Sequence, residues 1–106
     1  SEHQKIQPWK NLMPVYRITE FTSSDIGKLA EFAESLRDAV AAAGADSIDV
    51  VSAGDGKGLV VAKYATQAAM DAATDINKQA FGKMIAAGLV NGDSISGKFG
   101  EVVFSF

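Results

Sequence analysis

Four side chains could carry polar chemistry in this chain: Tyr16, Arg17, Tyr64 and Asn77. Asn77 stands out by position. On a helical wheel of about 100° per residue it falls inside an apolar arc, among Ala73, Ala80, Phe81 and Met84. A buried amide costs about 1–3 kcal/mol unless it is hydrogen-bonded. Asn77 therefore either bonds a backbone carbonyl as a structural amide, or lines a pocket and orients a ligand carbonyl or hydroxyl. Tyr16, Arg17, Lys63 and Tyr64 lie in strand-like runs, and each has a polar tip that needs a partner. Arg17 and Tyr64 fit equally well as an interface pair. If the chain is an enzyme, Asn77 and a tyrosine would hold substrate oxygens and Arg17 would steady an anionic form. No metal and no organic cofactor is expected.

Other site chemistries find little support. Cysteine is absent, which removes disulfides and thiolate catalysis. Asp71 and Asp75 are one helical turn apart, but they share the outward arc with Lys78 and read as a solvated face. Asp46, Asp49 and Asp55 lack calcium-loop spacing. Gly54-x-Gly56-x-Gly58 joins two strands, whereas a phosphate cradle opens a helix. The net charge is −3 and the ten Lys and Arg are scattered, so no nucleic-acid surface is expected. Apolar runs fall far short of the roughly 20 residues of a membrane span. No signal-like head precedes an apolar core, so a cytoplasmic location is expected. A secreted chain whose signal is cut ahead of residue 1 fits the same residues.

The elements that must position these groups follow from periodicity. Residues 1–13 show no period and read as an arm, which holds Trp9 and His3; residues 14–106 read as one domain. Val15–Phe21 is rich in β-branched and aromatic residues and predicts a strand. After the capping run Thr22–Asp25, the stripe Ile26, Leu29, Ala33, Leu36, Val40, Ala43, widened by Phe32, predicts one amphipathic helix over 25–43, closed by Gly44. Ser47–Ala53 and Leu59–Tyr64 predict a hairpin about the glycine-rich segment 54–58. Thr66 caps a second helix over 67–88, with Ala69, Met70, Ala73, Ile76, Ala80, Phe81, Met84 and Ile85 inward; Gly88 or Gly92 stops it. A last strand lies within Ile95–Phe106, with Gly97 and Gly100 marking a bulge or late start.

This βαββαβ order predicts an α+β ferredoxin-like domain, a four-stranded antiparallel sheet with two helices on one face. The other face should then be polar, yet Leu59-Val60-Val61-Ala62 and Val102-Val103-Phe104 put apolar residues on both faces. Each exposed side chain of this size forgoes about 1.5–3 kcal/mol of burial. A homodimer packed through the open sheet face is the economical solution. A monomer whose apolar patch is covered by the arm is the alternative.

The strand Val15–Phe21, the hairpin leading into Leu59–Tyr64 and the closing Gly100-Glu101-Val102-Val103-Phe104 resemble the dimeric α/β-barrel superfamily, and within it the antibiotic-biosynthesis-monooxygenase-like (ABM-like) domains. The resemblance spans about residues 14–106 and lies in element order, length and strand texture. It implies two packed sheets and a pocket in each subunit between sheet and helices, for a small apolar or aromatic ligand. Such proteins include cofactor-independent oxygenases, haem-degrading enzymes, isomerases and dechlorination enzymes. Haem-binding members offer a histidine from the second helix, which here has none. Oxygenase members commonly use a pocket Trp, and Trp9 lies in the arm. Two functions fit: a dimeric small-molecule-binding protein or cofactor-independent ABM-like monooxygenase, and a non-catalytic accessory or stress-related dimer that serves as an interaction platform.

Overall fold

The computed structural model describes residues 13–106. The expected arm, with Trp9 and His3, thus lies outside the described residues apart from Met13. Strand β1 (Val15–Thr22) is followed by helices α1 (Ile26–Ser35) and α2 (Arg37–Ala41). Strands β2 (Ser47–Gly54) and β3 (Lys57–Tyr64) follow, then helix α3 (Gln67–Ala86), a 3-10 turn at Gly92–Ser94 and strand β4 (Ser96–Glu101). The strands form one antiparallel sheet in the order β2-β3-β1-β4. This is the ferredoxin-like order, with each helical connection stepping over one strand.

Strand β1 is paired on both edges. It runs Val15↔Tyr64 to Thr22↔Lys57 against β3 and Val15↔Glu101 to Glu20↔Ser96 against β4. Its period of two sends Val15, Arg17, Thr19 and Phe21 toward the helices, and Tyr16, Ile18 and Glu20 to the open face. From β3, Gly58, Val60, Ala62 and Tyr64 share the helix side.

The core on that side forms two clusters. Val15, Ala62 and Tyr64 pack with Met70 and Ala73 at one end. Phe21 packs with Leu29, Leu36, Met84 and Val90 at the other. Phe21 also meets Phe81 edge-on, with ring centroids 6.2 Å apart. Its ring lies across Gly58, where a Cβ would come within 2.4 Å of it. Gly58 is therefore required by the space the ring fills.

The local chemistry explains the boundaries. Asp25 accepts from the Lys28 amide at 3.0 Å and starts α1. The Thr66 hydroxyl accepts from the Ala69 amide at 3.1 Å and starts α3. Helix α3 ends in a Schellman turn at Gly88 (φ 75°): Leu89 N–H donates to Met84 O and Gly88 N–H to Ile85 O.

Three expectations need correction. The single helix over 25–43 is two pieces, broken at Leu36. The Ser35 hydroxyl donates to the Phe32 carbonyl at 2.6 Å, and the Leu36 amide turns to Ala33 O. A side chain thus occupies the carbonyl that the next helical bond would use. The hairpin loop is only Asp55-Gly56, both at positive φ (55° and 76°), as a primed turn requires, with a bulge between Ser52 and Gly54. The last strand stops at Glu101 because β1 begins at Val15, its register partner. One further bond, Val102 N–H to Pro14 O, closes the ladder. Val103, Phe104 and Phe106 therefore lie beyond the sheet, exposed, and do not line both its faces.

Gly58→Ala should lower stability by about 1–3 kcal/mol through collision with Phe21. Gly82→Ala, in α3 with nothing within 4 Å, should instead raise it by about 0.5–1 kcal/mol. Urea unfolding with an unchanged m-value checks both.

Candidate functional site

Between the two core clusters lies a cavity of about 990 Å³. Its floor is the helix side of the sheet: Arg17 and Thr19 from β1, Val60 and Ala62 from β3, Val50 from β2 and Phe99 from β4. Its roof is α3, with Asn77, Phe81 and Met84, and one wall is formed where α1 breaks into α2. The cavity exists because the middle of β1 does not supply core. Val15 and Phe21 each anchor a cluster, and Arg17 and Thr19 stand between them. Phe99 and Val50 face the helix side yet remain 57 % and 39 % exposed, because the cavity separates them from α3.

Three of the four sequence candidates gather on this side. Asn77 lines the cavity, and its Nδ2 donates to the Tyr64 hydroxyl at 2.8 Å. The amide is thus satisfied by a side chain, where a backbone carbonyl was the structural alternative. Among the described residues its Oδ1 has no partner, and no unpaired side-chain oxygen or nitrogen there is buried, so Oδ1 is accessible. Tyr64 is fully buried in the first cluster and does not itself line the cavity. Its contribution is to hold the Asn77 amide in one orientation.

Arg17 lies beside Ala62 and Phe99 on the cavity floor, half-buried, with no hydrogen bond or ion pair among the described residues. Tyr16 belongs to the opposite face, paired with Lys63 and Gly100, and cannot act with the other three in one subunit. The pairing of Arg17 with Tyr64 across an open-face interface fails for the same reason, since both point toward the helices.

Sequence reasoning passed over Thr19, Phe99 and the pair Glu34–Arg37. Thr19 and Phe99 follow Arg17's face by the period of two once the register is known. Glu34 and Arg37 lie off the apolar stripe of the first helix, and in the structure they border the cavity on either side of the break at Leu36. Arg37 donates through both Nε and Nη2 to the Glu34 carboxylate, the latter at 2.8 Å. This hydrogen bond holds the Glu34 carboxyl below the usual carboxylate range and raises the Arg37 pKa. Both groups are exposed and mutually neutralised.

Among the described residues no three His, Cys, Asp or Glu side chains stand close enough to hold a metal ion. No helix there is long and apolar enough to cross a membrane. Helix α3 offers no imidazole to a haem iron, so its residues do not fit axial ligation from that helix.

The chain is similar to several solved structures. A protein of unknown function from Nitrosomonas europaea matches with a TM-score of 0.66 at 17 % identity, over 91 % of this chain and 95 % of that one. A dimeric ferredoxin-like protein from an uncultured marine organism matches with a TM-score of 0.62 at 17 % identity, over 92 % and 94 %. A candidate antibiotic biosynthesis monooxygenase from Caulobacter crescentus matches with a TM-score of 0.61 at 17 % identity, over 98 % and 100 %. This chain has their ferredoxin-like fold. Neither the comparison with protein-family models nor that with curated proteins gives a match. The α+β ferredoxin-like fold expected from the element order is thus borne out, and the functional reading rests on the cavity itself.

The Asn77–Tyr64 bond should be measurable as coupling. Tyr64→Phe should cost about 1–2 kcal/mol, because it leaves the Asn77 amide unpaired. A double-mutant cycle with Asn77→Ala should return about 0.5–1.5 kcal/mol of interaction.

Proposed function

We propose that this chain is a homodimeric small-molecule-binding protein of the ABM-like type, whose cavity takes an apolar or aromatic ligand. The observation that carries this reading is the cavity: about 990 Å³, at the upper end of the usual ligand-site range. Its lining is mainly apolar, Arg17, Thr19 and Asn77 border it from the sheet and from α3, and charged side chains such as Glu34, Arg37 and Lys78 border it as well. A barrel that served only as a scaffold would have Phe81, Met84 and Phe32 close this space. Within this proposal Asn77 orients a ligand carbonyl or hydroxyl, Tyr64 fixes Asn77, and Arg17 meets negative charge. Cofactor-independent oxygenation is the chemistry this reading favours if the chain is an enzyme, and the Caulobacter crescentus protein's name supports that direction.

The dimer is proposed through the open face. Ile18 and Val61 are register partners at its centre, and Leu59 and Val51 are also partners there. Val51 is 38 % exposed. Burying such side chains stabilises by about 1.5–3 kcal/mol each. Tyr16 and Lys63 then belong to the interface. The dimeric ferredoxin-like protein of similar structure supports the same assembly.

Native mass spectrometry of the gently purified protein tests both parts. The expected result is a dimer that retains a small molecule. Val61→Glu should convert it to monomer, since a charge would be buried at the centre of the interface. Val50→Trp, which projects into the cavity, should abolish ligand retention while the dimer persists. A bare monomer from the unaltered chain would overturn the reading.

A further inference from the structure

We infer that the cavity is built for an aromatic carboxylate, with Arg17 as the group that anchors the anion; this rests on the small-molecule reading above. Arg17 is placed where an arginine is costly. It projects from the middle of the central strand onto the floor of an apolar cavity, half-buried and without an ion pair among the described residues. A charge partly removed from water needs an opposite charge to offset its desolvation.

Among the described residues, no opposite charge is paired with it. Glu34 at the rim is already engaged by Arg37. Asp49 and Lys98 also border the cavity, but their register positions, partnering Val61 and Ile18, belong to the open face, and Asp49 makes no ion pair with Arg17. Asp46 and Lys78 border the cavity but are exposed, and neither forms an ion pair with Arg17. The guanidinium is a planar fork that matches a carboxylate through two parallel hydrogen bonds.

The aromatic part of the inference comes from Phe99. It is the register neighbour of Arg17 on the same floor, and more than half of its surface is uncovered. Phe81 lines the cavity from α3. A flat ring lying over Phe99 would cover that surface and bring a ring-attached carboxylate beside the neighbouring strand, where Arg17 stands. The open Oδ1 of Asn77 would accept from a ligand hydroxyl.

Isothermal titration calorimetry of the full chain with 2-naphthoate and its neutral isostere 2-naphthamide tests this. The carboxylate should bind about ten- to hundredfold more tightly, the range of a charge-assisted hydrogen-bonded pair. The ratio should fall to near one in Arg17→Met and recover in part in Arg17→Lys. In the ¹⁵N-labelled wild type, the Arg17 Nε–H resonance should shift with naphthoate and stay in place with naphthamide, a readout that needs no variant to fold. Equal affinities, or a preference that survives Arg17→Met, would overturn the anion anchor while leaving the pocket reading intact. Binding of neither compound would overturn both.

Discussion

The structure depends on the position of β1 at the centre of the sheet, hydrogen-bonded along both edges. A strand paired on both sides cannot rotate or slip without breaking two ladders, so the direction of each of its side chains is set. Its ends supply Val15 and Phe21, and each nucleates one half of the core. Its middle supplies Arg17 and Thr19, which cannot pack as hydrocarbon does. The core divides at that point, and the cavity is the space between the halves.

This division links stability to the proposed binding site. Had positions 17 and 19 been valine and leucine, α3 could settle on the sheet and the two clusters could merge. The chain instead forgoes that burial and keeps a half-buried cation beside an uncovered phenylalanine. Arrangements that cost stability in this way commonly mark binding sites. The remaining polar group in the roof, Asn77, is tied to fully buried Tyr64. Its orientation is therefore inherited from the better-packed end of the core.

The two faces of the sheet show what alternation can and cannot reveal. Leu59-Val60-Val61-Ala62 is apolar at every position. The structure assigns Val60 and Ala62 to the cavity and core and leaves Leu59 and Val61 on the face without helices. The expectation of an apolar open face therefore holds for β3 and the centre of β1. It fails for Val103 and Phe104, which lie beyond the last ladder bond, Val102 N–H to Pro14 O, and are exposed. Likewise, Ser35 ends α1 through one hydroxyl–carbonyl bond that no periodicity reports, because the apolar stripe continues unbroken through Leu36 and Val40.

The element order, the ferredoxin-like class, the helix caps at Asp25 and Thr66 and the anomaly at Asn77 were all legible in the sequence. These are legible because capping, period and glycine placement act over a few residues. Which candidates come to lie together emerges from the strand pairing. Arg17, Asn77 and the supporting Tyr64 come together on the helix side, and Tyr16 is sent to the other. That outcome depends on the pairing of β1 with β3 and β4, where Arg17 meets Ala62 and Phe99, residues 45 (62 − 17) and 82 (99 − 17) positions away in the chain. The cavity is likewise a property of packing, since it arises from two core halves that fail to meet. No local pattern encodes a space between elements.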